Sequence, residues 1–326
     1  MGYLRNGLIL SAVALASVAG GAFAQNYPNK SILLVLCYGA GSNVDILSRL
    51  IGQRLSENLG EQIVILNKPG GNTVIGTNLA AKATPDGYTL FMGQTGNLAI
   101  VPALYAQAGK KLPFDTLKDF DPVAMIGVNT SVLVVRAGLP VKSVAELIKL
   151  AKSKPGQLNY ASSGSGGTTH LIMEMFKRMA GIDMVHVPYV SSGPQMTAIA
   201  GGQVDLGITS MLAVGPHVKA GRMRALAVSG DQRSPAAPEV PTLAEAGVPG
   251  FQAESWYGVL VPTGVPKKIV AQLNTAISKV AQAEAQKLAG QGLVVRTATP
   301  EKLGAFVRQE FVKWAKVVKE SGAKLD

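Results

Sequence analysis

The sequence predicts an α/β protein of two lobes, each lobe a sheet flanked by helices. Three observations predict it. The chain has 326 residues, enough for two lobes of ordinary size. Short apolar runs of strand length alternate with helical stripes over residues 31–92. The same alternation resumes over residues 144–228, after a β-branched stretch at 123–135.

Residues 31–36 are a short apolar run ending in a glycine-rich turn, Gly39-Ala40-Gly41-Ser42-Asn43, and read as a buried strand. Residues 45–59 carry apolar side chains at 46, 47, 50, 51 and 55, one face of a helix, and Gly60 stops it. A strand at 62–66 and a helix at 74–83 follow. The turn Thr84-Pro-Asp-Gly87 ends that helix, and a third strand occupies 88–92. Strands alternating with helices predict a parallel sheet with right-handed crossovers.

The second unit reads as helix 144–152, strand 158–161, helix 168–180, strand 184–187, helix 195–200, strand 204–208, helix 211–220 and strand 224–228. Residues 235–249 are proline-rich and read as a surface stretch. A strand at 256–261 and helices at 266–281, 283–288 and 300–320 complete the chain. Ligands of open α/β sheets bind beyond the carboxyl ends of the strands. The hinge between lobes is expected near 123–130 and 250–258. Lobe one then comprises 25–125 and 255–326, and lobe two 126–254.

Residues 1–24 are a separate object. Arg5 opens a short positive region, residues 7–18 are almost wholly apolar, and Ala22-Phe-Ala24 supplies small residues at a cleavage site. The apolar stretch is shorter than the roughly 20 residues a membrane span requires. A signal peptide cleaved before Gln25 is expected, and with it export. The lone Cys37 can form neither an intramolecular disulfide nor a zinc site.

The formal charge is +11, but the basic residues are dispersed. Lys313, Lys316 and Lys319 form one solvated helix face, so nucleic acid is not an expected partner. Enzyme patterns fail in turn. Ser163-Gly-Ser-Gly166 lacks the glycine two residues before Ser165 that a nucleophile elbow needs. Gly39-Ala-Gly41 has Val44 where a dinucleotide fingerprint needs glycine. His170, His186 and His217 lack metal-ligand spacing. No cofactor or metal is expected.

Two loops share a design suited to anions. Tyr38, Gly39, Ala40, Gly41, Ser42 and Asn43 run into the helix carrying Asp45. Ser162, Ser163, Gly164, Ser165, Gly166, Thr168 and Thr169 run into the helix carrying His170. Gly and Ser let the backbone come close, and helix first turns leave N–H donors free. Each loop alone also reads as an ordinary helix cap. Thr95, Tyr189 and Thr209 complete the candidate set, with Tyr38 and Tyr189 as ring walls. Neither loop contains Lys or Arg.

The ordered segments resemble the tripartite tricarboxylate transporter substrate-binding proteins, the Bug family. The resemblance rests on Tyr27-Pro-Asn-Lys30, Asn67-Lys-Pro-Gly-Gly71, Ala83-Thr-Pro-Asp-Gly-Tyr-Thr-Leu90 and Pro155-Gly-Gln-Leu-Asn-Tyr-Ala-Ser-Ser163. It continues through His186-Val-Pro-Tyr189, Ala220-Gly-Arg-Met-Arg-Ala-Leu-Ala227 and Pro241-Thr-Leu-Ala-Glu-Ala-Gly247. It implies a periplasmic-binding-protein-like "Venus flytrap", a small carboxylate ligand and delivery to membrane permease subunits by a monomeric receptor. Aliphatic di- or tricarboxylates and aromatic acids both fall within it. The resemblance implies that the residue matching Asp45 can meet ligand amino groups, while Asp45 also reads as only a capping residue. The chain departs from the family at Cys37-Tyr-Gly-Ala-Gly-Ser-Asn-Val-Asp45, where prolines and one glycine of the usual loop are missing, and at Thr209, where an acid is common. A sensor feeding a membrane histidine kinase shares the same clamp, and an envelope enzyme is the reading from another class.

Overall fold

The computed structural model describes residues 27–189, 191–290 and 292–325. The expected signal segment and the Gln25 cleavage site lie outside them. Among the described residues no helix is long and apolar enough to cross a membrane.

The first lobe begins with β1 (Ile32–Leu36), α1 (Asn43–Leu59), β2 (Ile63–Asn67), α2 (Val74–Ala81) and β3 (Thr89–Gln94). Helix α1 starts because Ser42 caps it, its side chain accepting from the Asp45 N–H. It ends because Gly60 takes the left-handed conformation, φ 74°. The strands run parallel in the order β2-β1-β3, as the alternation predicts. A segment the sequence reading did not assign follows β3: a π-helical turn, Gly96–Ile100, continues into α3 (Val101–Gln107).

Strand β4 (Phe120–Arg136) then organises both lobes. Up to Thr130 it pairs antiparallel with β9 (Glu254–Pro262), and around residues 125–129 also with β10 (Leu293–Ala298). From Ser131 it pairs with β7 (Leu206–Ser210) and β8 (Met223–Val228) of the second lobe. Within the β-branched stretch, Asn129-Thr130 does not break the strand; β4 continues through these residues and changes partners after them.

The second lobe contains α4 (Val144–Ser153), β5 (Asn159–Ser162), α5 (Thr168–Ala180), β6 (Val185–Pro188), α6 (Ser192–Ala200) and α7 (Met211–Lys219). Strand β5 lies parallel to both β6 and β7. The chain returns through residues 229–253, then adds α8 (Lys267–Ala283), α9 (Ala285–Gly290) and α10 (Pro300–Ser321). Strand β10 was not anticipated.

Each sheet is packed on both faces. In the first lobe, Leu47, Ile51 and Leu55 of α1 and Leu273 and Ile277 of α8 cover one face. Phe91, Trp256 and Leu303 form the core on the other. In the second, α4 and α5 cover one face through Leu147, Leu171 and Phe176, and α6 covers the other through Met196 and Ile199. The proline-rich stretch is not a mere surface strap. Leu243 and Val248 within it, and Phe251 just after it, belong to the second lobe's core, because apolar residues between the prolines turn inward.

The two passages between lobes are tied by Ser229, which is fully buried. Its N–H donates to the Ser131 carbonyl at 2.8 Å, and its Oγ accepts from the Ser131 N–H at 3.0 Å. The same Oγ donates to the Ala253 carbonyl at 2.6 Å, while the Ala253 N–H donates to the Ser229 carbonyl at 2.8 Å. Helix α10 adds a further bridge. Its Leu303 and Val307 pack in the first lobe, and its Trp314, Val317 and Val318 join Phe176 in the second.

Candidate functional site

The loops at the carboxyl ends of β1 and β5 are each shaped by their own hydrogen bonds. Loop one, residues 37–45, is held from below. Asp45 is buried, and its Oδ2 accepts from the Gly41 N–H at 2.9 Å and from Arg49 Nε at 2.9 Å. Asn67, at the end of β2, donates from Nδ2 to Asp45 Oδ1 and to the Tyr38 carbonyl, both at 3.0 Å. Gly41 has φ 79°, a conformation that favours glycine. Gly39, Ala40, Gly41 and Asn43 are exposed above this clamp.

The Arg49 hydrogen bond, reinforced by the Gly41 N–H and Asn67, holds the Asp45 carboxyl down at about 2. Cys37 faces inward. It accepts from Asn97 Nδ2 at 2.9 Å, and burial pushes its thiol up to about 11, so it stays protonated.

Loop two, residues 162–169, is locked differently. The buried Ser162 Oγ donates to the Gly164 carbonyl at 3.1 Å and lies 2.7 Å from His186 Nε2. The network therefore assigns the proton of that contact to His186 Nε2. The Ser163 N–H donates to Thr169 Oγ1 at 3.0 Å, and the two hydroxyls of that pair are 2.9 Å apart. His170 Nδ1 accepts from the Gly166 N–H at 3.0 Å. The His170 and His186 rings stack at 3.9 Å and 5°, with Tyr160 stacked beyond His186 at 5.0 Å. Burial, then the neighbouring His170, pushes His186 down to about 4, so it is neutral at neutral pH. Gly166 (φ 69°) and Gly164 (φ 138°) let the backbone fold over this stack.

The two helix starts are not equivalent. Ser42 caps α1. The residue before α5 is Gly167, which has no side chain to cap with. First-turn N–H groups of α5 at Thr168 and Thr169 therefore face outward with the positive end of the helix dipole behind them.

A cavity of about 280 Å³ joins the loops. Tyr38, Asn72, Thr73 and Gly96 line it from the first lobe, and Ser165, Gly166, Gly167 and Thr168 from the second. Ile100, Val101 and Leu104 give it an apolar wall, and Lys324 and Leu325 of the C-terminal tail close a side. So the structure brings Tyr38 together with Ser165, Gly166 and Thr168.

The other candidates are not among the residues that line this cavity. Gly39 to Asn43 form the rest of loop one. The hydroxyls of Ser162, Ser163 and Thr169, and the His170 ring, are engaged within loop two. Thr95 Oγ1 donates to the Glu254 carbonyl and accepts from the Trp256 N–H, both at 3.2 Å, so it joins β3 to β9. Thr209 is buried on β7 opposite Val132. Tyr189 is half-buried after β6, with its N–H on the Ser162 carbonyl at 2.9 Å.

Sequence reasoning missed Asn72, Thr73, Gly96 and Lys324. The first two follow the Asn67-Lys-Pro-Gly-Gly71 turn at the carboxyl end of β2, which was a readable signal for a third loop. Nothing in the sequence marked Lys324.

The comparisons agree with this architecture. A family model described as "Tripartite tricarboxylate transporter family receptor" matches residues 47–323. Protein BugT of Bordetella pertussis is 35% identical over 320 residues, covering 96% of each chain. A solved R. palustris protein with adipate is 37% identical at a TM-score of 0.78, covering 92% of this chain and all of that one (100%). The periplasmic binding protein BugD is 29% identical at a TM-score of 0.72, covering 91% and 99%.

The clamp on loop one makes a pH prediction. Asp45 has a folded-state value below its ordinary 3.8, so it contributes stability that is present above pH about 4 and lost as pH falls toward about 2. Asp45→Ala should lower the unfolding free energy by about 2 kcal/mol at pH 7. In urea titrations the gap from wild type should close between pH about 4 and about 2. A gap that stays constant over that range would remove the clamp role.

Proposed function

The chain belongs to the tripartite tricarboxylate transporter receptor family, and from that premise we propose that it captures a small carboxylate between its lobes and delivers it to the membrane permease subunits of a tripartite transporter. The observation that carries this reading is the shared cavity: Tyr38 after β1 and Ser165 to Thr168 after β5 line one space, beside the uncapped start of α5. A carboxylate there meets backbone N–H groups and hydroxyls already fixed by the loops, so little ordering is left for binding to accomplish. The solved relative with adipate supports the ligand class.

In this reading Thr168, Ser165 and the free N–H groups of α5 are the primary anion contacts. Gly39 to Asn43 approach the ligand from the opposite lobe. Asp45, Ser162, Ser163, Thr169 and His170 act by holding the two loops in shape. Thr95 and Thr209 support the strands beneath. The lobes divide as 25–125 with 255–326 against 126–254, and they close about β4 and the 229–253 return, a hinge motion of the usual two-lobed kind. The receptor works as a monomer, without cofactor, and turns nothing over.

The apolar segment and Ala22-Phe-Ala24 motivate export with removal of residues 1–24. The intact mass of protein extracted from the envelope should correspond to a chain starting at Gln25; a mass retaining residues 1–24 contradicts this.

A thermal-shift plate of adipate, succinate, citrate and benzoate tests the ligand class. At 100 times its Kd a ligand adds about 2.7 kcal/mol of stability. At least one acid should stabilise the wild type to that extent, and Thr168→Leu, which fills the space beside α5, should abolish the shift. No stabilisation by any of the four would reject the carboxylate reading, and an unchanged shift in the variant would reject the assignment of loop two.

A further inference from the structure

The strongest feature outside the two loops is the C-terminal tail. Helix α10 ends where Gly322 takes φ 66°, and the chain turns back toward the cleft. Ala323 is buried in the second lobe's core, and its carbonyl accepts from Gln107 Nε2 of α3 at 2.7 Å. The tail then lies against loop two. A Cβ placed on Gly166 would stand 3.3 Å from the Lys324 carbonyl and 3.3 Å from Leu104 Cδ1. Backbone and apolar contacts thus hold the tail in place. Lys324 is exposed, is one of the residues that line the cavity, and makes no ion pair among the described residues.

Across the same cavity stands a second unusual feature. Asn72 and Thr73 both adopt left-handed backbone conformations, φ 51° and 74°. For a β-branched residue this is costly, on the order of 1–2 kcal/mol, and such strain collects at functional sites. Thr73 Oγ1 is buried without a hydrogen-bond partner, a further cost concentrated at this loop.

We infer that the C-terminal tail is part of the binding site and that Lys324 receives a carboxylate of the ligand, whose body is an apolar chain or ring. The inference rests on the receptor reading above and names its specificity. The cavity offers anion-favouring groups at Lys324 and the start of α5, while Ile100, Val101 and Leu104 form a wall with nothing to pair with charge. A dicarboxylate with a methylene body, or an aromatic acid, leaves apolar atoms against that wall. Citrate would set a carboxylate or hydroxyl against it, which costs desolvation without a compensating bond. At about 280 Å³ the space suits one small acid, since ordinary ligand pockets start near 300 Å³.

Titration calorimetry with adipate, benzoate and citrate tests this on the wild type, Lys324→Gln, Lys324→Arg, Lys324→Glu and the remote control Lys316→Ala. Lys324→Gln should weaken binding of the preferred acid about ten-fold, the range of one charge-assisted contact. Lys324→Glu should weaken it further, and Lys324→Arg should restore most of it. Added salt should weaken wild-type binding more than Lys324→Gln binding. The unliganded variants should melt with the wild type, because the side chain is exposed. Wild-type affinity in both Lys324→Gln and Lys324→Glu would overturn the role of the tail while leaving the receptor reading intact. Citrate bound as tightly as adipate and benzoate would overturn the apolar-body assignment. A wild type that binds none of the three would overturn the carboxylate reading and this inference with it.

Discussion

One strand serving two sheets is the constraint on which the rest of the molecule depends. β4 changes partners between Thr130 and Ser131, and a buried change of partners threatens to leave backbone donors unpaired. Ser229 removes that threat by bonding both to Ser131 and to the strand that returns through Ala253. The two passages therefore run side by side as a paired ribbon. Such a ribbon bends more readily than it slides, because sliding would break the ladder on both sides. It keeps the carboxyl ends of β1 and β5 opening onto one space, which is the geometric requirement for a ligand gripped from two sides.

The two grips are built from different chemistry. Loop one hangs on an ionised Asp45, braced by Arg49 and Asn67. Loop two hangs on neutral groups, a pair of stacked imidazoles with serine and threonine hydroxyls around them. An anion near loop two meets an uncapped helix start, whereas at loop one Ser42 already occupies that position. A cap satisfied by its own side chain competes with a ligand for the same N–H groups. In the proposed reading the second loop is for this reason the stronger anion end, and the first contributes shape and a ring, that of Tyr38. The clamp on Asp45 also explains how a loop without the family's prolines keeps its form: hydrogen bonds at Gly41 and Tyr38 replace ring stiffness.

Much of this was legible in the residues. Strand–helix alternation around Gly39–Asn43 and Ser162–Thr169 marked both loops and the parallel order of the strands, because parallel sheets advertise themselves through apolar runs bounded by glycine turns. What escaped lay where local pattern and tertiary role part. Residues 96–107 begin with glycine and include Pro102, so the π turn and α3 carried no clear helical start, yet Ile100 and Leu104 pack deep in the second lobe's core. β10 is a strand because β4 offers it an edge, which its own sequence does not say. Leu243 and Val248 sit among prolines and read as surface until their core is seen. Lys324 is a single charge on a tail, and only its position against Gly166 gives it meaning.

The central claim is that one carboxylate is held by both loops at once. Hydrogen exchange read by mass spectrometry at saturating adipate, or at whichever acid stabilises the protein most, tests it directly. The account predicts slower exchange in residues 39–45 and in residues 163–170 together, with the same dependence on ligand concentration. Protection confined to one loop, or absent from both while the ligand is bound, would contradict it.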